Sequence, residues 1–254
     1  MDLIDTHCHL DDASFDTDRL EVLARCSAAG VRRIVVPGVT ADGWDDLRRL
    51  CSEQAGLYPA LGLHPMYLEQ HRPGDTRRLA EEIEHHRPLA VGEIGLDYYI
   101  ETPDQARQES LLYEQLEIAR QARLPVLLHC RKAHDRILKA LREVPVPGGI
   151  AHAFNGSLQQ AHQYIELGFK LGFGGMLTFE RSNKLRKLAR ELPLEAIVLE
   201  TDAPDMTVAS HRGERNSPEY LPECLAALAE VRDQGPDELA RQTTRNAEAV
   251  LGLG

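Results

Sequence analysis

The sequence predicts an α/β protein of the (β/α)8 kind, a TIM barrel, with residues 1–254 as a single domain. Three observations predict it. Eight short apolar runs alternate with longer amphipathic segments. The 254 residues divide into eight units of about 32, roughly a strand, a helix and two short loops. Histidines and carboxylates fall at the ends of the apolar runs, where a barrel gathers its chemistry.

The predicted strands are Leu3–His7, Arg33–Val36, Tyr58–Leu63, Ala90–Ile94, Val126–Cys130, Gly149–Ala153, Phe169–Phe173 and Ile197–Thr201. Helical spacing fills the gaps at Asp16–Ala29, Asp42–Ala55, Asp75–His86, Pro103–Arg123, Ala133–Val144, Leu158–Leu167 and Asn183–Glu191. Pro218–Arg232 and Pro236–Leu251 add two helices after the last strand. Gly30, Gly56 and Gly168 follow helical patterns, where a residue tolerant of positive φ ends the helix. Thr40, Thr102 and Ser157 stand at helix starts, where a side-chain oxygen can accept an orphan N–H. A doubly wound open sheet would place a glycine-rich turn after strand one; this strand runs into His7-Cys8-His9 instead.

Composition narrows the function classes. Twenty-nine basic against 40 acidic residues give a net charge of −11, which argues against a broad electrostatic grip on nucleic acid. It leaves room for a nuclease that captures one strand end in a local pocket. No run of about 18 apolar residues occurs, so no membrane partner is expected. The five cysteines, 8, 26, 51, 130 and 224, form no CxxC pair and suit a reducing compartment. With no leader pattern at the start, a cytoplasmic location is expected. No exposed apolar stripe marks an oligomer interface, and a monomer is the expectation.

His7 and His9 close strand one, His64 strand three, Glu93 strand four, His129 strand five, His152 strand six and Asp202 strand eight. From His64 the intervals are 29, 36 and 23 residues to Glu93, His129 and His152, each about one unit. In a barrel these side chains converge at the C-terminal mouth. Imidazoles with carboxylates suit Zn²⁺ or Mn²⁺, and Mg²⁺ less comfortably. Four or more imidazoles with two carboxylates, at least six ligands, exceed the needs of one tetrahedral ion, whereas two ions sharing a carboxylate would use six. Glu93 is the bridging candidate. His71, His85, His86, His134, His162 and His211 fall in helices or loops and read as surface residues. Cys8, Cys130, Trp44, Tyr98 and Tyr99 read as packing, with the tyrosines also candidates to line a pocket. Arg131 and the five cations of residues 181–190 suit an anionic substrate or a solvated helix face.

Several stretches resemble the TatD family of metal-dependent hydrolases, a (β/α)8 branch of the amidohydrolases. They are DTHCHLDD at 5–12, LGLHP at 61–65, VGEIGLDYY at 91–99, PVLLHCR at 125–131, AHAFNGS at 151–157, LGFGGMLTF at 171–179 and LETDAPDM at 199–206. RNSPEYLP at 215–222 and TTRNAEAVLGL at 243–253 extend the likeness to the end, and the ETDAPDM text resembles the YjjV-like subgroup. The AHAFNGS stretch departs from the HCFSGS-like text of many members. The resemblance implies two divalent cations per subunit (zinc, manganese or magnesium). His7, His9 and Asp202 would hold one, His129 and His152 the other, with Glu93 shared. Many amidohydrolases bridge their metals with a carboxylated lysine on strand four. Lys132, Lys139, Lys170, Lys184 and Lys187 all lie away from that strand, which leaves the bridge to Glu93.

The resemblance further implies a deoxyribonuclease, some members acting 3′-to-5′ on single strands, with nucleic acid as substrate rather than as a stable partner. Hydrolysis would proceed through a hydroxide on the two metals, with Asp202 as general base. His64, Asp97 and Arg131 are the candidates to position the phosphate. An amide or ester hydrolase of deacylase type is the alternative, because the same metals polarise a carbonyl. A metal-binding protein without turnover is the third reading.

Overall fold

Runs rich in Val, Ile and Leu assemble into one sheet of eight parallel strands in the computed structural model, which describes residues 2–101 and 104–253. They are β1 (Leu3–Asp5), β2 (Val31–Pro37), β3 (Leu57–Leu61), β4 (Ala90–Asp97), β5 (Val126–Arg131), β6 (Gly149–Ala151), β7 (Phe169–Phe173) and β8 (Ile197–Leu199). Strand order follows chain order, as right-handed βα crossovers dictate. The seam between β8 and β1 closes outside the regular ladder. The Thr6 N–H and hydroxyl donate to Leu199 O at 3.1 Å each, and the Asp202 N–H donates to His7 O at 2.8 Å. The Asp5 carboxylate takes the Thr201 N–H at 3.0 Å and the Thr201 hydroxyl at 2.5 Å.

This side-chain closure is why β1 and β8 stop at Asp5 and Leu199, two residues short of their expected ends. The sixth strand likewise ends at Ala151, and Ala153 turns to a φ of +43°. β4 runs three residues beyond Ile94, pairing with β5 as far as Asp97 and Arg131.

The helices interleave as expected: α1 (Arg19–Ala29), α2 (Trp44–Glu53), α3 (Asp75–His86), α4 (Gln105–Ala122), α5 (His134–Glu143), α6 (Leu158–Glu166), α7 (Asn183–Glu191), α8 (Leu221–Arg232) and α9 (Pro236–Leu251). Short 3-10 turns at Ala13–Phe15 and Ala41–Gly43 delay α1 and α2 relative to the sequence pattern. Ser157 completes a capping box with Gln160, and Gly30 ends α1 at a φ of +85°. Thr40 precedes its turn without a side-chain bond. Thr102 and Pro103 lie outside the described residues; Asp104 caps α4 by accepting the Arg107 N–H at 3.0 Å.

Two apolar layers position the site. One lies between sheet and helices and takes in Cys8, Trp44 and Cys130, as expected. The other fills the barrel with Ile4, Val35, Ala60, Ala90, Leu127, Ile150 and Val198, and Ala247 and Leu251 of α9 plug its N-terminal end. The Asn246 amide fastens α9 there, donating to Leu194 O and Ile197 O at 2.7 Å each. Only the C-terminal mouth stays open. Among the described residues no helix is long and apolar enough to cross a membrane.

Candidate metal centre

Every strand-end residue singled out by position reaches the mouth. Glu93 lies at the centre, 2% exposed, with a different set of imidazoles at each carboxylate oxygen. Its Oε2 is 3.1 Å from His7 Nε2 and 3.4 Å from His9 Nε2; these nitrogens lie 3.7 and 3.8 Å from Asp202 Oδ1. Its Oε1 is 3.1 Å from His129 Nδ1, 3.3 Å from His64 Nε2 and 3.6 Å from His152 Nε2. Donors held tetrahedrally at 2.0–2.2 Å from one ion lie about 3.4 Å apart. Ligand atoms of His7, His9 and Asp202 lie within 4.8 Å of one another, as do those of His64, Glu93 and His129, so each set could hold a cation with Glu93 between them; His152 groups with His7 and Glu93.

The protonation pattern fits the same view. Burial pushes His7 down to about 3 and His64 down to about 4. Burial also works against charge on His9 and His152; the Glu93 hydrogen bond and the nearby carboxylates outweigh it at His9, lifting it to about 9, and the charges of Asp202, Glu200 and Glu93 outweigh it at His152, lifting it to about 10. Burial raises Asp202 to about 6, whereas Glu93, despite its burial, is held well below the usual carboxylate range by the surrounding histidines. Without a cation, protons on His9 and His152 offset the carboxylates; a divalent ion would displace them.

The three substrate-side candidates separate. His64 joins the Oε1 set rather than the outer wall. Asp97 is fully buried, and its Oδ2 accepts from His129 Nε2 at 2.9 Å, which turns Nδ1 toward Glu93. It lies beneath the imidazole instead of on the cavity wall. Arg131 does line the cavity, 3.5 Å from Asp97, with its guanidinium 4.3 Å from the exposed Tyr99 ring. Tyr98 packs inward, as expected, and bonds Glu109 at 2.6 Å.

Sequence reasoning missed Glu200. Its carboxylate is 1% exposed, accepts the Ala153 N–H at 2.5 Å and stands 3.5 Å from His152 Nδ1. Gly172 makes the room, since a Cβ there would lie 2.0 Å from Glu200 Oε2. Asn216 was also missed; its amide donates to Thr201 O and Asp205 O at 2.9 and 2.7 Å. That clamp spans Asp202, which sits at a φ of +58°, where Asp is among the better-tolerated residues.

His134 corrects an expectation. It is buried instead of exposed, with Nδ1 3.2 Å from Cys130 Sγ and Nε2 3.1 Å from Asn155 Oδ1, because α5 starts directly over β5. Above the donor atoms opens a cavity of about 980 Å³. Its wall includes the cations Arg131, Arg181 and Lys184 and the carboxylates Asp11, Asp12 and Asp205, with the exposed Met66, Tyr67, Met176 and Met206 also lining it.

A parallel barrel whose mouth gathers imidazoles around one buried carboxylate defines the class of metal-dependent hydrolases. The comparisons narrow it. The profile of the TatD related DNase family matches residues 4–252. The uncharacterized metal-dependent hydrolase YjjV of Escherichia coli K12 is 41% identical over 254 residues, covering 98% of each chain. The crystal structure of that TatD homologue superposes with a TM-score of 0.96 at 39% identity, over 99% of this chain and 98% of the other. The 3′-5′ ssDNA/RNA exonuclease TatD of Klebsiella pneumoniae is 31% identical over 99% of this chain and 98% of the other. The chain belongs to the TatD family of metal-dependent hydrolases.

Proposed function

We propose that this hydrolase is a deoxyribonuclease that cleaves phosphodiesters at a two-cation centre, acting 3′-to-5′ on single strands. The observation that carries the reading is the placing of three cations, Arg131, Arg181 and Lys184, in the cavity wall above the donor atoms, in a chain whose net charge is −11. A pocket for a neutral acyl group has no use for that wall. The exonuclease name of the Klebsiella relative points the same way.

His7, His9 and Asp202 with Glu93 Oε2 would hold one cation, and His64, His129 and His152 with Glu93 Oε1 the other. Bound there, zinc, manganese or magnesium would supply Lewis acidity at the phosphoryl oxygen and lower the pKa of a water. The chain's own groups do the rest. Asp97 and Glu200 fix His129 and His152 from behind. Arg131 and Lys184 receive the non-bridging phosphate oxygens. Asp202, partly open to the cavity, accepts the proton of the attacking water at its carboxylate. The new bond joins water oxygen to phosphorus, the ester P–O bond breaks, and the leaving alkoxide takes up a proton.

The test is hydrolysis of a single-stranded oligonucleotide labelled at either end, with Mg²⁺, Mn²⁺ or Zn²⁺, beside Asp202→Asn. Metal-dependent release of mononucleotides from the 3′ end, lost in the variant, is expected. No cleavage by folded, metal-loaded protein would refute the nuclease reading in favour of an amide or ester hydrolase.

A further inference from the structure

The charges at the mouth are sorted between the two halves of the centre. On the side of His9 and Asp202 the wall is acidic. Asp11 and Asp12 follow His9 on a turn closed by the Asp12 N–H to His9 O at 3.0 Å. Asp205 follows Asp202 on a turn closed by its own N–H to Asp202 O at 2.9 Å. The His9 N–H donates to Ala203 O at 2.8 Å, so the two turns are stitched together and their carboxylates share one wall. Asp11 Oδ1 is buried there without a hydrogen-bond partner. The neighbouring cation, Arg19, bonds the backbone carbonyls of Leu10 at 2.8 Å, Asp12 at 3.3 Å and Asp11 at 3.5 Å and the Asp16 carboxylate at 2.7 Å, not the Asp11 or Asp12 carboxylate.

On the side of His129 and His152 the wall is cationic. Arg131 follows His129 by two residues, and the Lys184 ammonium donates to the carbonyl of Asn155, three residues past His152. Arg181, three residues before Lys184, also lines the cavity.

We propose that this division sets which end of a strand the enzyme accepts. The inference rests on the nuclease reading. The phosphates of the remaining chain lie along Arg131, Lys184 and Arg181, and the terminal nucleoside occupies the side of Asp11, Asp12 and Asp205. That wall admits an uncharged hydroxyl end and repels a phosphate, because like charges facing one another in a cleft raise the energy of binding and of the transition state together. A strand threaded through the site would lay its next phosphate against three carboxylates. The enzyme therefore trims ends and does not cut within a strand.

The test uses three thymidine dinucleotides, TpT, pTpT and TpTp, with metal-loaded protein. TpTp, whose 3′ phosphate would meet the carboxylates, should show a kcat/KM at least about tenfold below that of pTpT, as expected for a like-charge contact, and the reverse order would overturn the proposal. The ratio between the two should shrink to within about threefold in Asp12→Asn/Asp205→Asn, an internal comparison insensitive to how much protein is folded. Binding of labelled pentathymidylates with a hydroxyl or a phosphate at the disfavoured end, followed by fluorescence anisotropy on Asp202→Asn protein, should show the same preference without turnover. Equal rates for pTpT and TpTp, an unchanged ratio in the double variant, or a circular single strand cut as fast as a linear one would overturn the proposal while leaving the nuclease intact. No hydrolysis of any diester would overturn both.

Discussion

Gly172→Ala tests whether Glu200 is held as a buried brace behind His152. The added methyl would lie 2.0 Å from Glu200 Oε2 and 2.4 Å from its Cδ, well inside contact distance. The carboxylate has no easy retreat. Oε1 is bonded to the Ala153 N–H at 2.5 Å, and the Glu200 backbone is crowded by Gly174, whose own Cβ would lie 2.8 Å from Glu200 O. Overpacking of this kind costs about 1–3 kcal/mol. Displacing the carboxylate from the Ala153 amide loses a charge-assisted bond of about 1.5–3 kcal/mol. Together these predict a loss of about 2.5–6 kcal/mol from a total that for most domains is about 5–15. Denaturant unfolding of metal-free protein reads this as a lower midpoint. Competition with a chromogenic chelator should show zinc held about 10–100-fold more weakly, as for other losses behind a ligating imidazole. Glu200→Ala in the Gly172→Ala background removes the clash, so the pair should couple by more than about 1 kcal/mol in a double-mutant cycle. A Gly172→Ala protein within 1 kcal/mol of the parent, or additive effects of the two changes, refutes the reasoning.

Two further predictions concern residues behind the centre. Asp97→Ala removes the acceptor for His129 Nε2 and should weaken metal binding about 10–100-fold, with the fold retained; unchanged affinity in the chelator assay would return Asp97 to a purely structural role. Burial raises the Asp5 carboxyl to about 8, so the folded chain holds a proton that the unfolded chain releases near 4. The unfolded state therefore binds fewer protons between those values, and stability falls as pH rises across that window, by at most about 1.4 kcal/mol per unit. Below about 4 both states are protonated and the contribution is flat. Asp5→Asn should match the parent at pH 4 and exceed it at pH 8 in denaturant midpoints of metal-free protein; the opposite slope of the difference would show that Asp5 is ionised in the fold.

Much of this centre was legible because strands alternate. Where a strand keeps its phase, an interior residue marks the face that arrives at the mouth two or four positions later. Ala60 leads to His64, Leu127 to His129, Ile150 to His152, and Val198 to Asp202. The same step passes through Glu200, two beyond Val198, so the signal for that residue was present in the ladder and was not used. Asn216 and the Asp5–Thr201 seam offered no comparable signal. Each joins residues far apart in sequence, and nothing in a local pattern announces such a contact.

Glu93 and His7 show why phase alone could not have placed the whole cluster. Each lies an odd number of residues from its interior neighbour, three beyond Ala90 and three beyond Ile4. Strict alternation would turn both toward the helical shell. On β4 the ladder shifts register between Val91 and Ile94, which turns Glu93 inward, whereas His7 lies beyond the end of β1 at Asp5, where strand alternation no longer applies. Past the shift on β4, the Glu93 N–H bonds Gly38 O at 3.0 Å. Irregularities of this kind re-aim a side chain and recur beside active sites. Local strand regularity is thus given up on β4 to supply the shared carboxylate. The donors after β6 and β8 are aimed instead by backbone that has already left the strand, with Ala153 beside His152 and Asp202 itself at positive φ.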